Sequence, residues 1–249
     1  MWCAEPEKFR ADQLAALVTE VTGGELHIAI APSLVWLDDA EAAAARAELA
    51  RIVARYAGVP DDPDEPTFTE IAGLLTSPPT ARYGWLADPN TGARLGVLTA
   101  ATDWFGLVAV REEDNVYLRT FDDEALSRVL AAVLPQWWKP GEQPISVLRS
   151  ELVAAAEETV GAVTPGPHVR RAQRLAALPA RIIAEFYAEA ADPEGRRRTC
   201  REPLRVYDTE DGRWAMRVIP LPGDERVLLF PADEDDIVRE LDELFLELD

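Results

Sequence analysis

The chain has 249 residues, and its 45 acidic against 25 basic side chains give a formal charge of -20, a balance that repels phosphate backbones and anionic lipid surfaces. A hydrophobic fraction of 48% suits one large or two small globular domains and excludes wholesale disorder. No apolar run approaches the ~20 residues that a membrane helix needs, and the acidic start lacks the basic and apolar regions of a signal peptide, so a cytoplasmic protein is expected. Cys3 and Cys200 belong to no CxxC or zinc-type spacing and read as free thiols.

In chain order, Leu14, Leu17, Val18 and Val21 recur at helical spacing over residues 11–22, and Gly23-Gly24 follow as a stop. ELHIAIAP then alternates Leu26, Ile28 and Ile30 as in a half-buried strand, with His27 on the other face. An amphipathic helix is expected over residues 38–56, with Leu49, Ile52, Val53 and Tyr56 on one stripe and Gly58 at its end. Pro60, Pro63 and Pro66 make residues 59–67 an acidic loop. A short helix near residues 67–76 leads into four strands, ARYGWLA, ARLGVLTAAT, FGLVAVRE and NVYLRTF, and the turn chemistry between them predicts an antiparallel meander. Asp122 is expected to cap a helix with the face Leu126, Val129, Leu130, Val133 and Leu134.

Beyond Pro135, three segments read as a small bundle of helices: ISVLRSELVAAAEETVG, PHVRRAQRLAAL and PARIIAEFYAEAA. GRRRTCR, PLRVYDT, GRWAMRVIP and ERVLLFP read as strands, and a last helix places Ile237, Leu241, Leu244 and Phe245 on its apolar stripe. A shift of 111 residues lays Val116-Tyr117-Leu118 on Val227-Leu228-Leu229, Asp122 on Asp233, Leu126 on Ile237 and Leu130 on Leu241. The same shift lays the turn at 112–115 on 223–226, so two meander-plus-helix units are expected. The predicted fold is therefore α+β, a pseudo-twofold antiparallel sheet flanked by helical bundles, with residues 1–138 and 139–249 as the halves of a single domain.

Signatures of catalysis are sparse. GxSxG, HExxH, GxxxxGKS and GxGxxG are missing, and His27 and His168 stand alone. Asp61, Asp62, Asp64 and Glu65 lack calcium-loop spacing and read as a solvated loop. Asp122-Asp123-Glu124 and the acidic residues at 233–236 suit helix starts, and the run from Asp208 to Gly212 suits a hairpin turn. Arg170, Arg171, Arg174 and Arg181, with Arg196, Arg197, Arg198, Arg201 and Arg205, form the one locally basic stretch. Without interleaved aromatics it suits pairing with acidic helices or an acidic partner better than nucleic acid. Seven tryptophans exceed what the core needs, so some are expected at a partner contact, with packing in the core as the alternative.

The order of these pieces resembles the EspG family of type VII (ESX) secretion chaperones from actinobacteria. The segments that carry the resemblance are IAIAP, the Ala-rich helix ending at Gly58, and Arg82-Tyr83-Gly84-Trp85-Leu86 with its DPNTGAR connection. The block LGVLTAATDWFGLVAVREEDNVYLRTF and the Asp208-Thr209 to Gly212-Arg213 strand pair complete it. The resemblance implies a cytosolic binding protein rather than an enzyme. Its clients would be helical PE-PPE or WXG-type secreted proteins whose apolar tip it shields, with no cofactor, metal, nucleic acid or membrane involved; homo-oligomerisation stays open. It also implies a binding surface made of the connection between the second and third strands, here Asp88, Pro89, Asn90, Thr91, Gly92 and Arg94, and of the bundle between Ile145 and Ala191, where Leu148, Leu152 and Val153 are the candidates. Two alternatives are a regulatory adaptor sharing the architecture and a carboxylate-dependent enzyme.

Overall fold

Helix α1 (Ala11–Thr22) buries Leu14, Leu17 and Val18 on one stripe and ends where Gly23 takes φ 70° and donates its N–H to the Thr19 carbonyl, as its spacing predicts. It follows a short strand, β1 (Glu7–Arg10), that periodicity does not reveal. The structure, a computed structural model, describes residues 6–33, 44, 47, 51, 65–122, 125–157, 165–192 and 194–248. Of the expected helix over 38–56, Ala44, Ala47 and Arg51 are helical; its apolar stripe and the loop residues 59–64 lie outside the described residues, as do Cys3, Trp2 and Trp36.

The expected strand at 26–30 is instead a turn. Ile30 and Ala31 both donate to the His27 carbonyl, and His27 N–H is taken by Leu75 O at the end of α2 (Phe68–Thr76), which leaves no row of groups for a sheet neighbour. Leu26, His27, Ala29 and Ile30 are buried while Ile28 is 65% exposed. Ala29 presses so closely on the sheet that a Cβ on Gly96 would stand 1.8 Å from its carbonyl oxygen. Helix α2 starts with a reciprocal capping box between Thr67 and Glu70.

The meander forms as predicted: β2 (Thr80–Ala87), β3 (Arg94–Ala101), β4 (Gly106–Glu112) and β5 (Asn115–Phe121) pair antiparallel in sequence, and β1 closes that edge on β5. Helix α3 (Leu126–Ala131) is shorter than expected and starts after Ala125, without a side-chain cap. Asp122 lies four residues before the first helical residue, too far to reach the free amides that a capping side chain must satisfy.

The largest correction concerns the bundle. Among the described residues of these segments, only α4 (Arg149–Glu157) and α5 (Pro167–Ala176) are helical; Ile145–Leu148 is an edge strand, β6, and the supposed third helix is the 12-residue strand β7 (Ala180–Ala191). Its alanines suggest a helix, yet Ala184, Phe186 and Ala188 alternate into the core, with Glu185, Tyr187 and Glu189 on the other face. Pairing with β2 on one side and with β9 (Leu204–Thr209) on the other satisfies the backbone and decides the conformation. The remaining elements are β8 (Arg197–Thr199), β10 (Gly212–Leu221), β11 (Asp224–Pro231) and α6 (Glu234–Leu246).

The sheet order β1-β5-β4-β3-β2-β7-β9-β10-β11-β6, with β8 beside β7, reads as two meanders meeting at β2 and β7, where Tyr83 faces and stacks on Tyr187. One face is covered by α3 and α6, packed on each other around Leu130, Ile237 and Leu241. The other is covered by α1 and α2 over the first meander and by α4 and α5 over the second. The repeat is therefore real in architecture, but its hairpins superpose two residues away from the predicted shift. Innermost pairs Glu112–Asn115 and Leu221–Asp224 correspond at an offset of 109, and the first helical residues Leu126 and Glu234 at 108. A two-residue difference preserves the inward and outward alternation, so the hydrophobic pattern cannot detect it.

Candidate functional site

The connection between β2 and β3 is a self-contained polar turn. Asp88 and Ala93 close it through the backbone, Gly92 donates to Asp88 O at φ 75°, and the Asp88 carboxylate accepts from Asn90 N (2.8 Å), Thr91 N and Thr91 Oγ1 (2.9 Å). Those bonds, the Asn90 amide first, hold Asp88 below its ordinary carboxylate range. Pro89 and Asn90 are thereby presented at the tip.

Across from this turn, α4 leaves β6 with its first residues anchored. Arg149 pairs with Glu225, Ser150 Oγ donates to Asp224 Oδ2 at 2.6 Å, and Glu151 accepts the Leu148 amide. None of its residues is buried; Leu152 and Ala155 only lean on the core below. Helix α5 begins with Pro167 after Gly166, sinks Val169 and Ala172 into that core, and turns its arginines outward.

Because α4 rides high, an apolar groove of about 680 Å³ opens between the helices and the sheet. Ile183, Tyr207, Met216 and Leu229 form its floor, Leu152, Ala156, Leu175 and Leu178 its walls, and Pro89 and Asn90 border it. A second hollow of about 560 Å³, lined by Val153, Val218 and Arg205, lies along α4 and shares Leu152, Ala156 and Met216 with the first. Over the first meander, Leu14, Leu17, Ile71 and Leu75 of α1 and α2 are buried in the core, and a hollow of about 730 Å³ at the ends of these helices is lined by Thr22, Leu26, Ile28, Thr76 and Arg197.

Of the residues expected at the site, Pro89, Asn90 and Leu152 come together on the groove and Val153 on the neighbouring hollow. Asp88, Thr91 and Gly92 brace the turn, and Arg94 is exposed at the start of β3 without lining the groove. Leu148 ends β6 and lines neither hollow; the segment is a strand, and its Ile145 and Val147 are the residues that pack with the helices. Sequence reading missed Leu175, Leu178, Ile183, Tyr207 and Met216. The amphipathic spacing Val169, Ala172, Leu175 could have pointed to the first; the strand residues were hidden by the helical reading of β7 and by dependence on the tertiary fold.

The acidic cluster that opens α6 and the buried Asp208 have structural work. Asp233 and Asp236 form a capping box at α6, and Lys139 and Arg239 bind Asp236. Partial burial disfavours the Asp236 carboxylate, but the bonds from Lys139 and the Asp233 amide outweigh it and hold the group well below its usual range. Asp208 and Arg213, 0% and 3% exposed, make a two-pronged pair at 2.6 and 2.8 Å. His27 is buried edge-on against Tyr83 with Nε2 3.7 Å from Glu189, and Cys200 is a buried free thiol. Among the described residues, no three His, Cys, Asp or Glu side chains are grouped to hold a metal ion, and no helix is long and apolar enough to cross a membrane.

No curated protein sequence matches the chain. Fourteen chains of solved structures do. One is the Mycobacterium tuberculosis type VII secretion system chaperone EspG5, solved in complex with the PE25-PPE41 dimer; it has a TM-score of 0.66 over 98% of this chain and 96% of that one at 13% identity, a likeness of fold. The sequence profile described as the EspG family matches residues 10–243, nearly the whole described sheet and its helices, and the chain belongs to the EspG family.

Proposed function

We propose that the protein is a cytosolic chaperone of type VII secretion that works by binding, not catalysis. Its client is a helical PE-PPE-type protein whose apolar end it holds before export. The observation that carries this reading is the apolar groove, which brings Pro89 and Asn90 of the β2–β3 turn and Leu152 of α4 to one surface. A cleft between two helices and a sheet suits the end of a helical hairpin, as in helix-in-groove recognition. Membership of the EspG family and the PE25-PPE41 complex of the structurally similar EspG5 support it. Binding would stabilise the client by mass action, and the charge of -20 would keep the complex dispersed.

Leu178 lines the groove and is only half-buried, so Leu178→Asp places a charge there without emptying the core. In calorimetric titration with the PE-PPE heterodimer encoded in the same genome, this variant should lose binding while keeping its melting temperature. Wild-type affinity in the folded variant would remove the groove from the client surface.

A further inference from the structure

One end of the groove is bordered by an aromatic platform. Trp137 and Trp138 stack with ring centroids 4.6 Å apart. Trp137 Nε1 donates to the carbonyl of the groove residue Thr209, and the Trp138 carbonyl accepts from Arg213 N, whose own guanidinium is locked on Asp208 and on Pro135 O. At Gly212, φ 108°, a Cβ would stand 2.9 Å from Trp138 Nε1 and 2.7 Å from Pro140, so the platform packs where only glycine leaves room. Held at all these points, Trp138 is nonetheless 51% exposed.

Arg181 completes the arrangement. It follows the groove residues Pro179 and Ala180, and the register shift between Ala180 and Ile182 turns it out of the β7–β9 ladder. Its guanidinium lies 5.4 Å over the Trp137 ring, and among the described residues it makes no ion pair or side-chain hydrogen bond. A guanidinium resting on an aromatic face keeps its N–H fork free in its own plane, the geometry that takes a carboxylate two-pronged. Arg94, just after the β2–β3 turn, and Arg174, beside the groove residue Leu175, likewise have no carboxylate partner among the described residues. Two acidic residues, Glu142 and Asp211, share a small hollow with Arg174; Glu142 pairs with Arg171, and Asp211 makes no ion pair with Arg174. Unpaired cations that adjoin the segments building the apolar groove, in a chain of charge -20, complement a ligand of opposite sign.

We propose that Arg181, resting on Trp137 beside Trp138, is a carboxylate-recognition point that receives an acidic side chain of the client next to the apolar segment in the groove. This rests on the client reading above and adds the chemistry of the client's flank. The exposed ring of Trp138 packs on the residues between that acid and the apolar segment.

The test is calorimetric titration of the full chain with the same PE-PPE heterodimer at roughly 50 and 500 mM NaCl, where screening differs several-fold in range. Arg181→Gln should weaken binding about tenfold at low salt, or 1.4 kcal/mol, and flatten the salt dependence. Arg181→Lys should fall between, keeping the charge and losing the fork, and Trp138→Ala should weaken binding at both salt concentrations. If Arg181→Gln binds within twofold of wild type, or weakens without changing the salt dependence, the proposal is overturned. The groove reading then still stands, provided that Leu178→Asp abolishes binding. If Leu178→Asp also binds normally, or the wild-type chain does not bind the heterodimer, both readings fall.

Discussion

Removing Asp208 should be among the most damaging single changes to this fold. The carboxylate is fully buried and holds the Arg213 guanidinium in two hydrogen bonds, while Arg213 also donates to Pro135 O at 2.6 Å. Asp208→Ala leaves a buried guanidinium with one carbonyl partner, and breaking one side of a buried pair costs about 3–5 kcal/mol. For a chain of this size each kcal/mol moves the melting temperature about 2–4 °C, so a fall of roughly 6–20 °C is expected. Urea unfolding followed by both tryptophan fluorescence and far-ultraviolet circular dichroism gives the free energy, provided the two transitions coincide. The double variant Asp208→Leu/Arg213→Met removes both charges and should recover most of the loss, because the desolvation penalty vanishes with them. A loss below about 1 kcal/mol in Asp208→Ala, the range of exposed pairs, would mean that water reaches the site and would refute the reasoning.

Two further perturbations test the packing and the charge design. Gly96→Ala drives a methyl group into the Ala29 carbonyl and should cost about 1–3 kcal/mol as the turn at 26–30 is pushed off the sheet; unchanged stability in thermal melts would show that the turn yields freely. Asp236, whose carboxyl is depressed in the folded state, contributes stability present above its unfolded value near 3.8 and lost as pH falls below it. Asp236→Asn should therefore lower the melting temperature at pH 7 and show a shallower decline than wild type on acidification below pH 4; parallel curves would contradict this.

How much was legible in the sequence depended on where each residue's partners lie. Local signals sufficed for α1, with its stripe and Gly23, for α2 and for the four-strand meander, since caps, turns and alternation are set within a few residues. The internal repeat and the order of family segments likewise led to the pseudo-twofold sheet and to the two regions that meet at the groove. Tertiary structure alone decided the rest. PARIIAEFYAEAA satisfies a helical stripe as well as an alternating strand, and only the neighbours β2 and β9, far away in sequence, select β7. The same decision exposes Ile183 and Tyr207 on the groove floor and places Arg181 on Trp137, a contact between residues 44 positions apart. His27 and Ile28 exchanged their expected environments because the backbone hydrogen bonds of that segment go to α2 and to its own turn rather than to a neighbouring strand. Periodicity reports which faces of the chain avoid water; which surfaces then meet, and where a groove is left unfilled, depends on long-range backbone pairing and side-chain volume that no local pattern contains.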